Sequence, residues 1–550
     1  MTLPDRARLV RLGAWALGVL GAAGVAGQIA RAGRIGGADA PHLLGVELRL
    51  GQLIREGDVG LALSAWWALL APQPPFGAAL GTATTVLVGS WPLSAALCMG
   101  LTLLAIFDAL QRLSLRLTDR RLGGLLAWLA VVGSPFTWSS VEQYSRDLSV
   151  AAAVLQAVSH VAGSDALTRR RSALAFGAWM GLAFGTKYTA PIFLVGPCLV
   201  VGVGLLWQTK RSRGSARAQW LGLGAAVLAF MAVAGLWYAT HFGAVRRYLF
   251  TSLDAGAMQG NAASLRDVDS LEARVYYVAT LWEALSAPGV ALLVLALVLG
   301  FWRRESRFGM AVVGVGALVG MVILSRTSQQ VDRYLFPGFV LACAAMVPLG
   351  RGWLLPLVVA GAMVPRVWTS AQRFGPGEVG PSPSYAHGVA ALRSAHWPQP
   401  AGSFAPSDFQ PSEWHLLEAV AALREVQGPT GTVGYLPSAD PNSPGFGHLM
   451  LPAASLGCRW DWSTVSLRGG GSAGEVFVGP LFDGDWPPRG FRVLIALERS
   501  PGDGPVQAWL RSHAVVEAAR VPTRAGGAFV VYRVEGMTNP PSPERNGPPK

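Results

Sequence analysis

The sequence predicts a polytopic α-helical membrane protein of about eleven spans that carries a C-terminal α/β domain. Three observations carry that expectation. Apolar runs recur from residue 9 to residue 367 and then stop. Only 14% of the 550 residues are charged, against roughly 25% in soluble globular chains, while 51% are hydrophobic; mean hydropathy is +0.38. Beyond residue 412 the pattern changes to an amphipathic helix followed by short β-branched runs.

The first run, Val10 to Ala30, follows Arg6, Arg8 and Arg11. It is longer than a signal-peptide core and other spans follow, so it reads as an uncleaved first helix. Further spans are expected at 91–111, 122–138, 148–163, 172–186, 190–208, 219–239, 284–302, 308–325, 335–349 and 352–367. Short basic connections (Arg112 to Arg121, Arg169 to Arg171, Lys210 to Arg217, Arg303 to Arg307, and Arg351) alternate with longer ones of mixed charge at 31–90, 139–147, 187–189, 240–283 and 326–334. Basic connections stay on the cytoplasmic side. The expected placement is therefore a multi-pass inner-membrane protein with a cytoplasmic N-terminus and an extracytoplasmic C-terminal domain.

Phe76 to Gly89 is apolar but only 14 residues long, short of the ~20 that a crossing needs. If it crossed, every later basic connection would face outward. It is expected to lie along the outer interface, or to re-enter, after Pro74 and Pro75.

The domains expected are a membrane domain over 1–367 with its outer first loop at 31–90, a Pro/Gly/Ser-rich linker over 368–412, an extracytoplasmic α/β domain over 413–537 and a disordered tail over 538–550. In the α/β domain, Trp414 to Gln427 has helical spacing. Thr432 to Leu436, Glu475 to Val478, Arg492 to Leu497 and Ala528 to Val534 read as strands, and Gln507 to Ser512 as a short helix.

The net charge of +13 does not indicate a nucleic-acid partner, because the arginines sit in short clusters between apolar runs. The four cysteines lack ligand spacing, which argues neither a disulfide framework nor a zinc site. Asp267-Val268-Asp269 and Asp483-Gly484-Asp485 both match an Asp-x-Asp metal pattern, and two such matches show how unspecific it is; no metal is assigned. The spans are almost free of ionisable groups at mid-depth, which speaks against a transporter or a flippase for a polar lipid.

Charge gathers instead at the predicted outer ends of the spans. Asp39 and Glu47 lie in the first loop, Glu142, Arg146 and Asp147 between the third and fourth spans, Lys187 and Tyr188 in a tight hairpin turn, and Arg333 and Tyr334 before the tenth span. Carboxylates beside several cations suit a reaction on an anionic lipid head group. The cations hold the phosphate while a carboxylate takes a proton from the acceptor. The same residue types also serve as helix caps or interfacial anchors: Asp39 before Pro41, Asp147 after Ser145, Lys187, and Arg333 with Tyr334. A non-catalytic scaffold displaying the α/β domain is the corresponding alternative.

Four stretches in this order resemble the GT-C glycosyltransferases, in particular the glycosyltransferase family 39 group of protein O-mannosyltransferases and lipid A aminoarabinose transferases. They are ADAPHLL…LIREGD…PQPPF, VEQYSRDLSVAAAVL, GLAFGTKYTAP and DRYLFPGFVL, within residues 10 to 350. The resemblance implies a sugar transferase that uses a polyprenyl-phosphate-linked donor and a protein, lipid or glycan acceptor, with no cofactor. Asp39 would be the catalytic base and Asp147 a supporting acid. Lys187 and Arg333, with Arg146 and Tyr334, would form the substrate-binding set. The chain departs from the family at Ala40, where a second acidic residue often stands, and at Gln73, before Pro-Pro. Glu47 remains an alternative base.

Overall fold

The computed structural model describes residues 3–32, 39–68, 74–163, 167–211, 213–253, 271–327, 332–351, 361, 363–364 and 367–368, and then 416–428, 430–436, 459–468, 475–480, 493–498, 515–523 and 528–534. The chain divides into two compact units. The first comprises residues 1–32, 70–84 and 92–406, and the second residues 33–69, 85–91 and 407–550.

The first unit is a helical bundle. Its elements are α1 (Leu3–Ala32), most of α4 (Phe76–Val88), α5 (Trp91–Thr118), α6 (Leu122–Val132), α7 (Pro135–Glu142), α8 (Arg146–Val161), α9 (Arg170–Phe184), α10 (Ala190–Arg211), α11 (Arg213–Phe230), α12 (Leu236–Leu253), α13 (Leu271–Trp302), α14 (Arg304–Leu324) and α15 (Phe336–Ala344). Short 3₁₀ turns at Asp332–Leu335 and Val347–Arg351 flank α15, and a π-helical turn, Met231–Gly235, joins α11 to α12. Among the described residues, seven helical stretches are long and apolar enough to cross a membrane. The chain is a multi-pass membrane protein.

Each of the first ten predicted spans contains a described helix. The eleventh, 352–367, lies almost wholly outside the described residues. Two of the ten, α8 and α9, have only 16 and 15 residues, short of the ~20 that a straight crossing takes. The stretch from Phe76 is a 13-residue helix, α4, also too short to cross on its own.

The third predicted span is broken: α6 and α7 meet at a bend of 63°. Ser134 and Pro135 explain the break. Proline at the first helical position has no N–H to offer the preceding turn, and Ser134 caps α7 by accepting from Phe136 N. Carbonyls freed at the end of α6 are taken up locally. Thr137 Oγ1 donates to Val131 O at 2.6 Å, and Trp138 Nε1 donates to Val132 O at 2.7 Å. Backbone polar groups in apolar surroundings must be satisfied internally, and these two bonds do that.

Helix α8 is the core of this unit. Fourteen of its sixteen residues are buried, and it packs against α7, α9, α10, α14 and α15. Helix α9 in turn lies close on α11. A Cβ at Gly177 would meet Ala226 O at 1.9 Å, so only glycine allows the approach. In α13 the backbone breaks at Ser286 (φ 61°, ψ 168°), two residues before Pro288. The Ser134 hydroxyl donates to Ala284 O beside this break, at 2.9 Å.

The second unit contains α2 (Asp39–Arg55) and α3 (Val59–Ala68), joined by a turn in which Gly57 takes φ 90°. It also contains α16 (Leu416–Gln427) and a six-stranded sheet of β1 (Thr430–Leu436), β2 (Arg459–Arg468), β3 (Glu475–Pro480), β4 (Val493–Glu498), β5 (Val515–Pro522) and β6 (Ala528–Val534). The strand order is β3-β2-β1-β4-β6-β5. Strand β1 runs parallel to β2 and β4, and the other neighbours pair antiparallel. Helix α16 packs on β1, β4, β5 and β6, burying Ala419, Val420 and Leu423.

The four expected strands and the expected helix are present. Two strands were not expected. In β2 the run RWDWSTVSLR interleaves charged and hydroxyl residues with its apolar ones, and β5 (VVEAARVP) is a solvated edge rich in helix formers. The predicted short helix at Gln507 to Ser512, the linker beyond Trp368 and the tail 538–550 lie outside the described residues, as do both Asp-x-Asp matches.

Candidate active site

The predicted site residues of the first unit meet at one end of α8. The chain enters that helix through a tight turn: Gln143 N bonds Ser139 O, Tyr144 N bonds Val141 O, and Ser145 N bonds Ser140 O. Tyr144 adopts φ 47°, a left-handed conformation that is uncommon and strained for a bulky residue. Ser145 then caps α8, its Oγ accepting from Asp147 N at 3.2 Å and donating to Asp147 Oδ2 at 3.1 Å. Asp147 therefore stands in the first helical turn, where the helix dipole favours negative charge.

Lys187 reaches this carboxylate from the turn between α9 and α10. Its Nζ lies 2.6 Å from Asp147 Oδ2; the Asp147 side chain is 0% exposed and that of Lys187 24%. The turn is fixed by Gly185 N on Gly181 O and by Lys187 N on Ala183 O. It is also pinned to the Pro-Pro-Phe stretch, since Phe76 N donates to Gly185 O at 2.8 Å. A Cβ at Gly185 would lie 2.0 Å from the Phe76 ring, so the glycine is required there. Arg146 is buried and runs past α4: a Cβ at Gly77 would meet its Cδ at 2.9 Å.

Tyr334 completes the group. Lys187 Nζ sits 4.5 Å from the centre of its ring, and Arg333 Cζ is 5.9 Å from the same ring. One aromatic ring thus has two cations at cation–π range. The arrangement brings the cations Lys187 and Arg333 and the Asp147 carboxylate to one place, with buried Arg146 next in the chain. An ammonium has three protons. Asp147 takes one of them.

Two polar atoms here point to where a ligand would bond. Asp147 Oδ1 and Thr189 Oγ1 are both buried and without a hydrogen-bond partner among the described residues. Buried orphans of this kind are rare in folded proteins and call for a ligand or a water. Thr189 escaped the sequence reading although it stands within GTKYTAP. A hydroxyl near a helix start reads as a cap, and only burial marks it otherwise.

Asp39 and Glu47 belong to the second unit. Asp39 is the first residue of α2, and its side chain lies outside the described residues. Glu47 is buried in the same helix at 1% exposure. Eight residues of α-helix separate them, about 12 Å of axial rise, so the two carboxylates are alternatives for one task and not a pair.

The fold is similar to that of ArnT from Cupriavidus metallidurans. ArnT from Cupriavidus metallidurans bound to undecaprenyl phosphate superimposes with a TM-score of 0.56 at 14% identity, over 98% of this chain and 100% of that one. The apo form of the same protein gives 0.54 at 14% identity, over 90% and 94%. No protein-family model matches the sequence, and no curated protein matches it.

Proposed function

We propose that this protein is a membrane glycosyltransferase that moves a sugar from a polyprenyl-phosphate donor to an acceptor hydroxyl on the outer face of the membrane. The observation that carries the reading is the pairing of Lys187 with the Asp147 carboxylate beside the Tyr334 ring, which Arg333 also approaches. It lies within a fold shared end to end with a protein solved with undecaprenyl phosphate.

The reaction is a single displacement at the anomeric carbon. The acceptor oxygen forms a bond to that carbon as the bond to the phosphate oxygen breaks. The acceptor proton passes to Asp39, and polyprenyl phosphate leaves. Lys187 and Arg333 stabilise the charge on the leaving phosphate, and Arg146 adds positive potential. Asp147 is a positioning residue: it holds Lys187 against Tyr334 and presents Oδ1 to a hydroxyl or amino group of the sugar. The basic connections support a site on the extracytoplasmic side, where a membrane-carried donor would replace nucleotide sugars.

The test is transfer by the purified full chain in lipid, with undecaprenyl-phosphate-linked aminoarabinose, mannose and glucose offered in turn. One of these donors is expected to be consumed. Asp39→Asn is expected to lower the rate at least ~100-fold, the usual contribution of a general base. Full activity in that variant removes Asp39 from the role, and Glu47→Gln is then the next variant to assay.

A further inference from the structure

We propose that Thr189 is a further binding residue of the site, its hydroxyl donating to the phosphate of the polyprenyl-phosphate donor. The inference rests on the glycosyltransferase reading and adds to it a residue outside the charged set.

Thr189 stands two residues after Lys187 and directly before α10. Two residues span at most about 7 Å of chain, so Thr189 shares the turn that carries Lys187. Backbone bonds hold that turn: Ala190 N donates to Lys187 O and Ile192 N donates to Thr189 O, both at 3.2 Å.

A threonine just before a helix ordinarily caps it, its hydroxyl oxygen accepting from the N–H of the second or third helical residue. Here the second is Pro191, which has no N–H. The third is Ile192, whose N–H goes to the Thr189 carbonyl instead. The helix therefore makes no use of the hydroxyl, and Thr189 Oγ1 is buried without a partner among the described residues. An unbonded buried hydroxyl costs stability, and a ligand that bonds it recovers that cost.

The chemistry of the two orphan oxygens separates their tasks. Asp147, a carboxylate paired with Lys187, only accepts, so its Oδ1 cannot bond a phosphate oxygen and is left for the sugar. Thr189 Oγ1 carries a proton and donates to an anion. The surroundings favour an anion: Lys187 and Arg333 both approach the ring of Tyr334, and the amino end of α10 is the positive end of its dipole. Thr189 as a whole is only partly buried, so rotation about χ1 from one staggered position to the next brings the hydroxyl to an arriving phosphate.

The experiment measures thermal unfolding of the full chain in neutral detergent as undecaprenyl phosphate or undecaprenol is titrated in. The phosphate is expected to raise the unfolding temperature of the wild type, and the alcohol to leave it unchanged. Thr189→Val removes the hydroxyl at nearly constant volume. It is expected to need about tenfold more undecaprenyl phosphate for the same rise, the value of one hydrogen bond to a charged group. Its unfolding temperature without lipid is expected to stay level or increase, and Thr189→Ser to keep the wild-type response. An equal response in wild type and Thr189→Val overturns the role of Thr189 and leaves the glycosyltransferase reading standing. A wild type that ignores undecaprenyl phosphate overturns both. An equal rise with undecaprenol, a lost response in Thr189→Ser, or a lipid-free Thr189→Val that unfolds earlier than wild type also overturns the proposal. If Thr189→Val does not fold, Thr189→Ala takes its place.

Discussion

The two ends of α8 carry polar clusters of opposite construction. At the N-terminal end a buried carboxylate is the fixed centre, and cations from two other elements are brought to it: Lys187 by direct pairing, Arg333 through the ring of Tyr334. At the C-terminal end the arginines of α5 are the fixed centre, and neutral side chains of α8, Gln156, Ser159 and His160, are arranged to accept from them. Among the described residues, the first leaves an acceptor oxygen unsatisfied and the second a donor N–H. The difference teaches that burial alone does not mark a reacting site. What marks it is which charge is buried and which is left able to turn outward.

That comparison can be broken by substitution. The largest effect is expected from Lys187→Met, which leaves Asp147 buried as an uncompensated charge. Loss of one partner of a buried pair costs about 3–5 kcal/mol. Asp147→Asn leaves Lys187 instead, a quarter exposed to water and still against the Tyr334 ring, and is expected to cost clearly less. Unfolding temperatures of the two variants in detergent decide the matter, and equal losses would show that the carboxylate is not the fixed centre.

Gln156→Leu probes the opposite end. It removes the bonds from Gln156 Nε2 to Ala105 O and Asp108 and the bond it accepts from Arg112. A stability loss of about 1–3 kcal/mol is expected, with sugar transfer per folded molecule unchanged. A fall in turnover with no fall in stability would mean that this end takes part in the reaction.

The smallest effect is expected from Ser145→Ala. Loss of an N-cap hydroxyl costs about 1 kcal/mol, and here the same hydroxyl also bonds Asp147 Oδ2. Turnover is expected to fall slightly while the donor KM rises, since Asp147 holds Lys187 less firmly. A kcat change with KM untouched would argue that Ser145 acts on the transition state and not through positioning.

Much of the bundle was legible because hydrophobic runs are a local property. Val10 to Ala30, 190–208 and 308–325 needed only their own residues to read as helices. Helices α8 and α9 were legible as helices, but their 16 and 15 residues and the near-complete burial of α8 were not. Burial depends on neighbouring helices, and none of them is visible from within the run. The missed strands β2 and β5 interleave their Val, Trp and Thr with charged and small residues, so neither shows a clean strand pattern of its own.

The candidate site divides in the same way. The sequence by itself determined which residues carry charge, that Lys187, Asp147 and Arg333 stand at helix ends, and that the spans between them are apolar. Charge and hydropathy are properties of single residues and short windows. Only the tertiary structure decided that Asp147 and Lys187, 40 residues apart, form a pair, that Tyr334 lies beneath two cations, and that Gly185 must be glycine to admit Phe76. These contacts are long-range, and each exists because helices of fixed length and turn geometry bring their ends to one place.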